Sequence, residues 1–182
     1  MKELIAIFGA ITIALYLNFY ALRIWRGERF PQNPASWLMW LVLDSLVLTT
    51  TILAHKPIWL PLAYVIGCAP VTAANFIRGT WKWSKRETFS LIVASIATYL
   101  WQTNGADWGV VAGAAAMCTA GIPLYMDMID KPDRGSFPVW AITALACVCT
   151  LIGSDGTLTG MALAIGSLLY NGSLSFVVLR VK

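Results

Sequence analysis

One carboxylic acid stands in the middle of a long apolar run: Asp44, preceded by 'SWLMWLVL' and followed by 'SLVLTTTIL'. An acid at that depth in a bilayer costs about 2.5–3.5 kcal/mol on insertion scales, so it requires a partner, water or a proton. Three roles meet that requirement: a proton-coupling carboxylate, a hydrogen-bonding group for a solute, or a protonated acid bonded to a neighbouring hydroxyl. Asn171 and the pair Thr72 and Asn75 also lie within apolar runs. An amide offers donors and an acceptor together, which suits a polar solute held weakly, or serves as a hydrogen bond between helices. Trp40 and Cys147 complete the candidate solute-binding set with Asp44, Thr72, Asn75 and Asn171. Pro70 and Pro123 fall inside apolar segments, where each removes a backbone hydrogen bond and invites a kink. They are the candidate hinges.

Other chemistry is excluded by what the chain lacks. The single histidine, His55, has no ligand partners, and Cys68, Cys118, Cys147 and Cys149 form no CxxC pair, so neither a zinc site nor a disulfide framework is expected. There is no HExxH, GxSxG or P-loop motif. Lys2, Lys56, Lys82, Lys85, Lys131 and Lys182 all fall in loops or termini, so no Schiff-base lysine is available at mid-membrane. An enzyme, a cofactor and a metal are not expected.

The elements that must hold these residues follow from composition. Of 182 residues, 58% are hydrophobic and 12% charged, about half the charge a soluble domain carries. Such a chain is an integral membrane protein. Cutting at charge and turn clusters leaves seven apolar segments, 3–24, 35–54, 58–77, 87–103, 107–127, 136–153 and 157–179, each near the length a membrane helix needs. The net charge of +4 does not point to nucleic acid, because the basic residues sit in clusters between spans. With seven spans, one face receives Arg23, Arg26, Arg29, Arg78, Lys82, Lys85, Arg86, Lys131, Arg134, Arg180 and Lys182, and the other only Lys2 and Lys56. The positive-inside rule then puts the N-terminus outside and the C-terminus in the cytoplasm.

The first three and last three spans resemble each other. With Trp37 laid on Trp140, the series Trp37, Trp40, Asp44, Val47, Thr51 falls on Trp140, Thr143, Cys147, Thr150, Ser154. Steps of three and four place each series on one helical stripe. The same register pairs Tyr20 with Pro123. In the third spans, Ile66-Gly67 is laid on Ile165-Gly166, which pairs Thr72 with Asn171. Three spans, one linker span and three more bring both triplets into the membrane in the same direction, a parallel repeat. The expected fold is all-α, with seven transmembrane helices in two parallel three-helix bundles: 1–80, a linker helix in 81–105, and 106–182. A homo-oligomer is a further possible assembly.

This 3+1+3 plan resembles the SWEET and PQ-loop superfamily. The segment 'IPLYMDMIDKPDRGSFPVW', with Pro123, Ser136, Phe137 and Pro138, is similar to that family's proline-bearing helix, charged turn and Phe-Pro start of the next helix. The segment 'LYNGSLSFVVLRV' is similar to the family's Asn-Gly segment, and the resemblance implies that Asn171 lines a substrate pocket. The architecture is also similar to vitamin-precursor transporters of the nicotinamide riboside kind and to KDEL-type receptors. The resemblance implies a secondary transporter or facilitator for a small polar, sugar- or vitamin-like solute, or else a receptor or scaffold that binds without transport.

Overall fold

The structure is a computed structural model describing residues 1–28, 33–130 and 134–180. Arg29, Lys131 and Lys182, counted above among the basic residues, lie outside the described residues, as do the side chains of Arg86 and Asp127. The described chain is helical: α1 (Lys2–Trp25), α2 (Pro34–Leu53), α3 (Trp59–Arg78), α4 (Lys85–Asn104), α5 (Ala106–Ala120), α6 (Ile122–Asp130), a 3-10 turn (Arg134–Ser136), α7 (Phe137–Gly153) and α8 (Leu158–Arg180). Six spans are long and apolar enough to cross a membrane, α5 and α6 together forming one of them; α4 has the length but a more polar sequence. These are the features of a multi-pass membrane protein.

The surface of α1 shows what its surroundings must be. Leu4, Phe8, Ile11, Leu15, Phe19 and Leu22 step by three and four residues and are exposed, while Ala6, Ala10, Ile13, Leu17 and Ile24 face the core. Both faces are apolar, so the distinction between them is packing and not polarity, as lipid contact requires.

The helices terminate on local signals. Asn33 caps α2, its Oδ1 accepting from the Ala35 amide at 3.1 Å with Pro34 following. The same side chain donates to the Lys82 carbonyl (2.8 Å) and to Glu87 Oε1 (2.9 Å), tying the start of α2 to the start of α4. Glu87 in turn accepts from the Ser84 amide at 2.8 Å, half of a capping box. At the end of α2, the His55 amide donates to Ile52 and the Lys56 amide to Thr51, a Schellman ending that puts His55 at φ 53°.

Packing closes a ring. α1 contacts α3, α3 contacts α2, α2 contacts α5, α5 contacts α8, α8 contacts α7, and α7 returns to α1. α4 lies outside the ring against α5 and α2. Two seams, α1·α7 and α2·α5, join the first three helices to the last three. Both are held close by glycine. A Cβ on Gly153 would meet Ala6 Cβ at 2.6 Å, and one on Gly109 would meet Thr50 Cγ2 at 2.5 Å. These close approaches lie at the end of the bundle that carries the α2–α3 and α7–α8 turns.

Candidate functional site

A cavity lies inside the ring. Its walls come from α1 (Leu17), α2 (Trp37, Trp40, Asp44), α3 (Tyr64, Cys68), α5 (Met117, Cys118), α7 (Trp140, Thr143) and α8 (Ser167, Tyr170, Asn171). It offers about 50 Å³ to the centres of water-sized molecules. One water needs roughly 10–15 Å³ on this measure, so the space holds a few waters or a very small solute. Anything of sugar size requires the helices to part.

Trp40 organises the aromatic wall. Trp37, Trp140 and Tyr170 approach its ring at 5.1, 6.4 and 5.7 Å, with interplanar angles of 77°, 82° and 86°. These edge-to-face pairs fix the rings through their quadrupoles. The Trp140 indole N–H donates to Ser136 Oγ at 3.1 Å. The Trp40 indole N–H has no partner among the described residues, and neither has Asp44 Oδ1 one turn further along α2. Asp44 is 1% exposed, and the Cys68 thiol lies beside its carboxyl group.

Trp40, Asp44 and Asn171 of the sequence-derived set line the cavity. The other three are buried and do not line it. Cys147 Sγ sits 3.4 Å from the Tyr64 hydroxyl. Thr72 donates its hydroxyl to the Trp37 carbonyl at 3.2 Å, and Asn75 donates its amide to the Val71 carbonyl at 2.9 Å. Pro70 lies within an unbroken α3, whereas Pro123 follows the α5/α6 break at Gly121. There the Gly121 carbonyl accepts both the Tyr125 amide (2.9 Å) and the Tyr170 hydroxyl (2.8 Å). The cavity wall is therefore bonded to the interruption in the helix.

Sequence reasoning passed over Tyr64, Cys68, Ser167 and Tyr170. A signal for three of them was present. The interval from Trp37 to Trp140 is 103 residues, and the same interval pairs Trp40 with Thr143, Tyr64 with Ser167 and Cys68 with Asn171; all eight line the cavity. In the third helices this replaces the expected pairing of Thr72 with Asn171 by Cys68 with Asn171. The difference is one helical turn, and residues four apart share a face, so the apolar pattern accepts either register.

At the glycine-packed end, the Lys56 ammonium donates to Asp155 Oδ2 at 2.9 Å and to Thr157 Oγ1 at 3.2 Å, joining the α2–α3 turn to the α7–α8 turn. The Thr157 hydroxyl and amide, and then Lys56, hold the Asp155 carboxyl down to about 2, against an ordinary 3.8. A depressed carboxylate stabilises the fold above its unfolded value and loses that contribution as pH falls towards the folded one. The thermal midpoint of Asp155→Asn is therefore expected to lie slightly below that of the parent at pH 7, and the gap to close between pH 4 and pH 2. The pair is partly exposed, so the gap is small. Comparison with protein-family profiles, curated proteins and solved structures finds no match to this chain.

Proposed function

We propose that the protein is a secondary transporter or facilitator for a small polar solute, working by alternating access between two parallel three-helix bundles, α1–α3 and α5–α8, with α4 as the linker. The observation that carries this reading is the interval of 103 residues. It relates four pairs of cavity residues, and it also relates the two seams, since Ala6 against Gly153 falls on Gly109 against Thr50. A solute site enclosed between two related bundles is the arrangement that rocking of one bundle against the other can expose to either side. The glycine-packed seams and the Lys56–Asp155 pair support a conformation shut at the outer face, with the N-terminus outside and the C-terminus cytoplasmic. Asp44 is the group that exchanges a proton or a solute in the cycle. Pro123, next to the α5/α6 break, is the better placed of the two hinge candidates.

Reconstitution tests this directly. Vesicles containing the protein are expected to show saturable exchange of a labelled small solute, well above that of protein-free vesicles. Access to the cavity cysteines supplies a second readout. A membrane-impermeant thiol reagent is expected to label Cys68 or Cys118 during turnover, when the bundles part, and not at rest. Saturable binding without exchange would favour a receptor of the same fold, and labelling from both sides at rest would favour an open channel.

A further inference from the structure

The cavity's polar groups are unequal in kind. The Thr143 hydroxyl is spent on the Val139 carbonyl at 2.7 Å, and the Asn171 amide on the Ser167 carbonyl at 2.7 Å. The Thr143 hydrogen and one Asn171 amide hydrogen thus go to backbone, and both side-chain oxygens can still accept. Asp44 Oδ1 accepts from nothing among the described residues. Beside these acceptors stands a buried donor with no partner among the described residues, the Trp40 indole N–H. The charge is unequal too. Among the described residues no lysine, arginine or histidine lines the cavity, and the described ion pairs, Arg23–Glu28 and Lys56–Asp155, lie away from it. A buried carboxylate without a counter-charge is costly, and a bound cation with its own hydrogen bonds removes most of that cost.

We propose, building on the transport reading, that the solute is a small protonated amine, its ammonium group held by the Asp44 carboxylate among the rings of Trp37, Trp40, Trp140 and Tyr170. An ammonium group has three donors and no acceptor, the complement of Asp44, Asn171 and Thr143. Aromatic faces attract a desolvated cation through their quadrupole, most strongly when the ring is Trp. The remaining Trp40 N–H asks for one oxygen on the same molecule. A short amino alcohol therefore satisfies the site better than either a plain amine or a neutral polyol, and its size suits the narrow cavity.

Tryptophan fluorescence of the full-length protein in detergent tests this with ethanolamine and its neutral isostere ethylene glycol, potassium chloride serving as the ionic-strength control. Ethanolamine is expected to give a saturable change and ethylene glycol none. Asp44→Asn is expected to raise the half-saturating ethanolamine concentration tenfold or more, and Asp44→Glu to restore part of the affinity. Equal response to the two solutes, no saturable response to ethanolamine, or an unchanged Asp44→Asn variant would overturn the proposal. If Asp44→Asn fails to fold, the comparison of the two solutes on the unmodified chain still decides. The transport reading fails separately: ethanolamine would bind but would not exchange across vesicles. Exchange of neutral polyols without amine binding would keep transport and reject the amine.

Discussion

Gly109→Val is expected to lower the thermal midpoint of the detergent-solubilised protein more than any other single seam-forming substitution in α5. A Cβ there would lie 2.5 Å from Thr50 Cγ2, 3.0 Å from Thr50 Cβ and 3.0 Å from Trp101 Cβ. It is caught between α2 on one side and α4 on the other. Thr50 cannot swing clear, because its hydroxyl bonds to the Leu46 carbonyl at 3.0 Å and the Val47 carbonyl at 3.1 Å and the residue is fully buried. The cost falls at the upper end of overpacking, about 3 kcal/mol. Adding Thr50→Ala removes the nearest atom but leaves the Cβ, so it should recover part of the loss, and the two changes should not add. A Gly109→Val protein that melts with the parent would show that α2 and α5 are not in close contact at this point.

Gly121→Ala should abolish saturable binding in the cavity although the residue does not line it. The added carbon would collide with the edge of the Tyr170 ring at Cε2 and Cζ and with its hydroxyl. That ring is held on one side by its hydroxyl bond to the Gly121 carbonyl and on the other by Trp40 and Tyr125. Displacing it breaks the bond, worth about 1 kcal/mol net, and removes one ring from the aromatic wall. Two further variants separate these effects. Tyr170→Phe keeps the ring and loses only the bond, so it should bind more weakly but still saturably. Gly121→Ala with Tyr170→Ala relieves the clash, so its thermal midpoint should recover while binding does not. If Gly121→Ala binds ethanolamine as the parent does, the link between the helix break and the cavity is wrong.

Helix positions were legible because apolar runs, charge clusters and turns mark their limits in the chain. The segment 35–54 became Pro34–Leu53 and 157–179 became Leu158–Arg180. The segment 107–127 is interrupted at Gly121 and runs on to Asp130; Pro123, two residues later, withdraws the donor that the Thr119 carbonyl would otherwise accept. The convergence of the Trp37 and Trp140 stripes on one space was readable from their common register. Cys118, which also lines the cavity, was not, since a cysteine in an apolar run looks the same whether it faces a neighbour or a cavity. Thr72 and Asn75 were attractive as polar residues on an apolar helix, yet both turn their polar atoms to backbone carbonyls. Polarity in a sequence says that a partner exists and does not say whether the partner belongs to the protein.

The seams carry one more consequence, concerning which halves can pair. At the equivalent crossing the first half contributes Ala6 and Thr50 and the second half contributes Gly109 and Gly153. At this crossing each seam sets bulk from the first half against space from the second. Two copies of the first half placed in the same geometry would set Ala6 against Thr50 twice, with no glycine to receive either. Two copies of the second would set glycine against glycine and leave both seams loose. The halves have become lock and key to each other, so at this crossing the single chain fixes their ratio at one to one.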